Sequence, residues 1–78
     1  MAIVTSILPE ENKVMRTKRH SQTNCTYLMG ERDGQRVIQL NTSGSIDREM
    51  VGVTSQTLQF DKKAAKELFE ILKREFGF

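Results

Sequence analysis

The most regular hydrophobic pattern lies near the C-terminal end of the chain and predicts an amphipathic helix over residues 61–76. Apolar residues recur there at three- and four-residue spacings, which is the period of one helix face. Asp61 is the expected N-cap, because its carboxylate can accept a hydrogen bond from a free backbone N–H of the first turn. The apolar stripe consists of Ala64, Ala65, Leu68, Phe69, Ile71, Leu72 and Phe76.

Three shorter segments alternate apolar and polar residues, which is typical of half-buried strands. They cover residues 24–30, 35–42 and 55–60. Asp33-Gly34 separates the first two segments and predicts a hairpin, because glycine accepts the positive φ that a tight turn requires.

Together these patterns predict an α+β domain with an antiparallel sheet of four or five strands and one C-terminal helix. A chain of 78 residues has room for one core, so residues 1–78 are expected to form a single domain. The expected segments are an N-terminal arm or strand at 1–12, the sheet within 13–60 and the helix at 61–76. Within the sheet region, a further strand is expected at 13–19 and a loop at 43–54.

Stability is expected to be marginal, because a domain of this size buries only about 60–65% of the surface that its unfolded chain exposes. The single cysteine, Cys25, cannot form an internal disulfide, and His20 is the only other soft metal ligand. Neither a metal nor another cofactor is therefore expected. Self-association is the expected source of further stability. The helix residues assigned to a homodimer interface are Ala64, Leu68, Ile71 and Leu72.

The sequence lacks the residue combinations that catalysis requires. A nucleophile needs a neighbouring base and a group that orients the base, and the single histidine, His20, lies in a basic run without an acidic neighbour. Cys25 alternates in phase with Tyr27 and Met29 and is expected to be a small core residue. We therefore expect a binding protein and not an enzyme.

A reducing compartment is indicated by the single cysteine and by the absence of signal-peptide features. Residues 1–8 are apolar but have no basic flank, and no segment approaches the ~18 apolar residues of a membrane helix. The expected location is the cytoplasm, without membrane association.

Basic residues are concentrated between Lys13 and His20, a segment without acidic residues. The net charge of +2 is by itself too small to indicate a nucleic-acid-binding protein. Two interpretations remain open: a solvated segment that lysine and arginine protect from aggregation, or a strip that contacts phosphates. The candidates for phosphate contact are Lys13, Arg16, Lys18, Arg19 and Arg36.

Uncharged polar residues occupy the outward positions of the predicted strands. Side by side, they would form a surface rich in hydrogen-bonding groups and low in charge, suited to bases and sugars, to a protein partner or to solvent alone. Tyr27 either stacks on a base or belongs to the core. The polar candidates are Gln39, Asn41, Thr57 and Gln59, with Thr26 in the same pattern.

The order of these elements resembles the positive-cofactor-four-like single-stranded DNA-binding domain over roughly residues 24–76. The parallel segments are a hairpin at 27–41, a charged loop at 47–52, a strand at 57–60 and a helix at 62–76. Local parallels are Gly34-Gln35-Arg36-Val37-Ile38-Gln39-Leu40 and Arg48-Glu49-Met50. The resemblance implies a homodimer formed through the helix, which binds single strands along paired sheet surfaces as a transcription or replication accessory.

The chain departs from that family where the family usually carries basic residues. Val53-Thr54-Ser55-Gln56 follows the loop glycine, and Asn41 and Thr42 lie on the return strand. The charge for a bound strand would then come from residues 13–20 and Arg36. Two hypotheses result: a homodimeric protein that binds single-stranded nucleic acid, and a small protein-interaction module, such as an accessory or inhibitor subunit encoded by a phage or mobile element.

Overall fold

The computed structural model describes residues 2–15, 18–45, 54 and 56–78. Within them, the elements in chain order are β1 (Ala2–Val4), β2 (Thr23–Arg32), β3 (Gln35–Ser45), β4 (Gln56–Phe60) and α1 (Lys62–Phe76). The fold is α+β, with a four-strand sheet and one C-terminal helix. The predicted fold class is confirmed.

The sheet is mixed, with the strand order β1-β4-β3-β2. The β2–β3 and β3–β4 pairs are antiparallel, but β1 runs parallel to β4, with Val4 opposite Phe60. The expectation of a wholly antiparallel sheet was wrong at this edge. A long connection over residues 5–22 joins β1 to β2, and the neighbour of β1 in the sheet is β4, which comes much later in the sequence. No tight hairpin therefore sets the direction of β1 relative to β4.

The β2–β3 hairpin closes through a two-residue turn at Asp33-Gly34, as predicted. The φ angles are 52° at Asp33 and 79° at Gly34, and a type I′ turn requires positive values at both positions. Both strands are longer than predicted, since β3 continues to Ser45 and occupies the first part of the expected loop. Residues 46–53 of that loop lie outside the described residues.

The predicted strand at 13–19 is not found at the described positions of that segment, 13–15 and 18–19. Val14 and Met15 are 93% and 90% exposed. Because successive strand residues point to opposite faces, two adjacent apolar residues cannot both contribute to one buried face. The described part of this segment therefore offers the sheet no apolar face of more than one residue.

The helix α1 has the predicted extent and the predicted N-cap. Asp61 Oδ1 accepts a 2.8 Å hydrogen bond from the Ala64 N–H, and Gly77 ends the helix with a left-handed φ of 73°. The Gly77 N–H donates to the Lys73 carbonyl oxygen at 3.0 Å. Among the described residues, no helix is long and apolar enough to cross a membrane.

The helix packs over β3 and β4 and gives the sheet two different faces. The side that carries Phe60, Ile38 and Leu40 is called the helix face, and the opposite side is called the open face. Among the described residues, Phe60 at 8% exposure and Ala64 at 0% are the only buried apolar residues. The core that the described residues form within a single chain is therefore small.

Candidate nucleic-acid interface

Four polar side chains form a continuous hydrogen-bonded row on the open face, here called the amide ladder. The strand register places Gln39 opposite Gln59 and Asn41 opposite Thr57. Gln59 Nε2 donates to Gln39 Oε1 at 2.9 Å, and Gln39 Nε2 donates to Asn41 Oδ1 at 3.0 Å. Thr57 Oγ1 donates to the same Asn41 oxygen at 3.1 Å. The four predicted polar candidates thus lie together and are half-buried.

Three hydrogen bonds use only part of the capacity of these side chains, because each amide has two N–H donors and an oxygen with two lone pairs. Asn41 takes part in the ladder through its oxygen, and Gln59 through its nitrogen. Asn41 Nδ2 can therefore still donate hydrogen bonds to a ligand, and Gln59 Oε1 can still accept them. The ladder orients both groups before a ligand binds.

Two residues on β2 extend the open face, and the sequence analysis missed both as site residues. Leu28 lies opposite Gln39 and is 58% exposed. Arg32 lies on the same face and lines a shallow groove of 330 Å³ with Leu28, Gln39 and Gln59. The sequence could have indicated that Arg32 shares a face with Leu28, since every second residue of a strand points to the same side and Arg32 follows Leu28 by four positions. The predicted strand ended at residue 30, which left Arg32 out.

Tyr27 and Arg36 lie on the helix face and do not join the amide ladder. The register places Tyr27 opposite Leu40 and Arg36 opposite Glu31. Tyr27 is 67% exposed, so it is not a core residue, and it cannot stack on a base that is bound at the open face. The grouping of these two residues with the glutamines is corrected by the two-residue period of a strand.

The described basic residues of the segment 13–20, Lys13, Lys18 and Arg19, are exposed and have no contact with the ladder. Lys13 Nζ lies 3.7 Å from a Glu10 carboxylate oxygen. Lys18 and Arg19 are exposed, and Arg16 lies outside the described residues. No hydrogen bond or ion pair of the described residues connects Lys13, Lys18 or Arg19 to the amide ladder.

Cys25 is exposed on β2 and is not the core residue that its alternation with Tyr27 suggested. It lies on the helix face, but α1 covers β3 and β4 and leaves β2 open. Its thiol donates a weak hydrogen bond to the Thr26 carbonyl oxygen, with a separation of 3.7 Å. No three His, Cys, Asp or Glu side chains of the described residues are placed to hold a metal ion.

The four helix residues predicted to form a dimer interface are distributed between the core and the surface. Ala64 is fully buried within one chain, so it cannot contact a second copy, and its assignment is corrected. Leu68 and Ile71 are half-buried, whereas Leu72 is 36% exposed. The sequence shows the width of the apolar stripe, but only packing decides which part of it the sheet covers.

One flank of α1 is occupied by residues 5–9, which Glu67 holds in place. The Ile7 N–H donates to Glu67 Oε1 at 2.8 Å, and Lys63 Nζ lies 3.2 Å from Glu67 Oε2. Lys63 also donates to the Thr5 carbonyl oxygen at 3.4 Å. The hydrogen bond from Ile7, and then the one from Lys63, lower the pKa of Glu67 from its ordinary value of 4.5.

Comparisons with protein-family models, with curated proteins and with solved structures found no match. The function is therefore inferred from the chemistry of the open face. That face combines an uncharged, oriented row of donors and acceptors with the apolar residues Leu28, Val37 and Ile3 and with the cation Arg32.

Proposed function

We propose that this chain is a homodimeric, non-enzymatic protein that binds single-stranded nucleic acid on the open face of its sheet. The observation that supports this most directly is the amide ladder, with Leu28 beside it and Arg32 at the hairpin end of the same face. Amides recognise base edges, an apolar side chain contacts bases or sugars, and an arginine contacts phosphate. These are the three kinds of group that a nucleic acid offers.

A single strand suits this face better than a duplex does. Gln39 and Gln59 are half-buried on the floor of a shallow groove, so a ligand must bring its hydrogen-bonding edges down to the sheet. In a duplex the Watson–Crick edges are already paired, whereas an unpaired base can be turned towards the protein. The open face therefore favours unpaired bases.

Phosphate contacts would be few, and their positions follow from the chain path. Arg32 lies on the open face itself. Arg19 precedes Thr23, the first residue of β2, by four positions, so its backbone lies within about 14 Å of that strand. Lys18, with Arg16 and Lys13 further along the same segment, would extend the contacts. Binding should then weaken with salt, with a slope of about −0.7 in log K against log salt per contact.

A fluorescence-anisotropy titration against labelled single-stranded DNA, single-stranded RNA and duplex DNA tests the proposal. At about 150 mM salt, where long-range attraction is screened, one of the single strands should bind more tightly than the duplex. Replacing Gln39 and Gln59 by Ala should reduce that preference, because base contact creates it. Equal affinities for single strands and duplex would contradict the proposal.

The second candidate is a protein-interaction module, such as an accessory or inhibitor subunit. The specific observation in its favour is the exposed apolar surface of α1, where Phe69 and Phe76 are 54% and 69% exposed. Exposed apolar patches commonly mark protein-binding surfaces. Such a module would show only weak, salt-sensitive attraction to polyanions, and its affinities for single strand and duplex would be nearly equal.

A further inference from the structure

We propose that two copies of this chain pair their α1 helices in an antiparallel arrangement, in which Phe76 of each copy fills a groove beside Ala65 of the other. The inference specifies the interface of the proposed homodimer. It rests on the homodimer alone and not on nucleic-acid binding.

A single chain leaves far more surface exposed than a compact protein of its size. The accessible surface is 7412 Å², whereas a folded monomer of 9.0 kDa exposes about 4,900 Å². The described residues between 5 and 22, which are exposed apart from Ile7, contribute to this excess, but they do not explain the exposed phenylalanines of a well-formed helix. Additional apolar contacts on α1 are therefore expected in the functional state.

The open flank of α1 has the residue spacing of a helix-pairing seam. Ala65, Phe69, Leu72 and Phe76 follow one another at intervals of four, three and four residues, which is the repeat by which helices pack side by side. The residues at 5–9 do not cover this flank, because they contact Glu67 on the other side of the helix.

A groove of 590 Å³ lies beside the small end of this seam. Met29, Ile38, Phe60 and Ala65 provide its apolar lining. The charged residues beside them are Arg36, Asp61 and Lys62. Ala65, the first residue of the seam, lines the groove with a single methyl group. The groove can therefore accept an aromatic side chain from outside the chain.

The other end of the seam carries the aromatic side chains that such a groove requires. The Phe76 and Phe78 rings are stacked, with centroids 5.7 Å apart and an interplanar angle of 17°. They are 69% and 78% exposed. Glu75 precedes Phe76 in the sequence, and its exposed carboxylate lies 3.2 Å from Arg74 Nε.

An antiparallel two-fold arrangement brings the groove and these rings together. With the axis between residues 70 and 71, Ala65 of one copy faces Phe76 of the other, and Phe69 faces Leu72. A small residue thus meets a large one at each end, which close packing requires. Glu75 of one copy approaches Arg36 and Lys62 of the other, the two basic residues that line the groove together with Asp61. Because groove and rings belong to the same chain, the fitting occupant is a second copy.

A parallel arrangement does not satisfy these contacts. It would place Phe76 against Phe76 at one end and Ala65 against Ala65 at the other, which leaves a cavity between the alanines. The two alignments differ in a measurable way, since residues 65 of the two copies are about 16 Å apart along the axis of the antiparallel pair.

Cross-linking between single-cysteine chains tests the alignment. In a Cys25→Ser background, Ala65→Cys and Phe76→Cys chains of different tag length are mixed and treated with a short bis-maleimide. We expect the mixed cross-linked product and little product from either variant alone. Cross-linking of Ala65→Cys with itself would overturn the proposal, and so would a dimer in sedimentation that gives no mixed product. A chain that sediments as a monomer at micromolar concentration would overturn it as well.

A size exchange across the seam tests the contact itself. Ala65→Phe blocks the groove, and Phe76→Ala removes the side chain that fills it, so each should weaken dimerisation by on the order of tenfold or more. The double variant restores one large and one small residue at each contact and should recover most of the affinity. Far-UV circular dichroism of the same samples verifies that α1 is folded. Failure of recovery in a folded double variant would contradict the contact between residues 65 and 76.

The cross-linking and dimerisation experiments are done without nucleic acid, so they test the interface independently of the binding function. A dimer with the expected cross-link that shows no preference for single strands would leave this interface standing and remove the proposed binding function. A monomer that prefers single strands would remove this interface and leave the proposed binding function standing.

Discussion

Gln59 donates a 2.9 Å hydrogen bond from Nε2 to Oε1 of Gln39, its direct cross-strand partner on the open face. Gln39 in turn donates to Asn41 at 3.0 Å, so its amide is held on both sides. Because both glutamines are half-buried, their orientation is fixed by the fold. A ligand on this face therefore meets donors and acceptors that are already aligned.

The glutamine pair should be detectable as a coupling in stability. Gln59→Leu leaves Gln39 Oε1 without this donor and should lower the free energy of unfolding by about 1 kcal/mol. Gln39→Leu should have a similar effect, because it removes an acceptor for Gln59 and a donor to Asn41. The double variant should lose less free energy of unfolding than the two single variants lose together, since neither partner of the hydrogen bond is then left unpaired. Urea denaturation of the four proteins measures the coupling, and strict additivity would show that the two amides do not interact.

Two arginines near the hairpin turn provide a matched pair for the binding face. Arg32 lies on the open face and Arg36 on the helix face, so Arg32→Gln and Arg36→Gln remove the same charge from opposite sides of the sheet. Arg32→Gln should reduce the steepness of the salt dependence of single-strand binding by about 0.7, the value of one phosphate contact. Arg36→Gln should leave it nearly unchanged at protein concentrations where sedimentation shows both variants to be dimers, because Arg36 also lies at the proposed dimer interface. Equal effects in anisotropy titrations would show that only the net charge matters.

The helix cap is expected to contribute measurably to a fold with so small a core. Asp61→Ala removes the 2.8 Å hydrogen bond to the Ala64 N–H and should cost about 0.5–2 kcal/mol of stability. Asp61→Asn keeps an acceptor at the same position and is the matched control, with a much smaller loss. Thermal unfolding followed by circular dichroism compares the variants. An alanine variant as stable as the natural protein would show that the cap is not needed.

The contact between Glu67 and residues 5–9 should depend on pH. Because the Ile7 N–H and Lys63 lower the pKa of Glu67 in the folded state below 4.5, the stabilisation is present above that value and is lost as the pH falls through the lowered pKa. The Ile7 amide resonance should therefore move in NMR spectra recorded below about pH 4.5. Glu67→Gln should abolish this transition, whereas Glu70→Gln should retain it. An Ile7 signal that is insensitive to acid would contradict the contact.

The sequence alone determined the elements whose signals are local. The extent of α1, its cap at Asp61 and the turn at Asp33-Gly34 were all predicted, and each is present. The alternation within β3 and β4 also placed Gln39, Asn41, Thr57 and Gln59 on one side. These features depend on the backbone preferences and side-chain period of a few neighbouring residues, which the sequence displays directly.

Tertiary structure decided how the segments combine. The parallel pairing of β1 with β4 follows from a long connection whose path no local pattern fixes. Strand length determined that Arg32 shares the open face with the glutamines, while register placed Tyr27 and Arg36 on the helix face. Packing of α1 on the sheet buried Ala64 and left Phe69 and Phe76 exposed. A period in the sequence shows that two faces exist, but only the contacts between distant segments determine what each face meets.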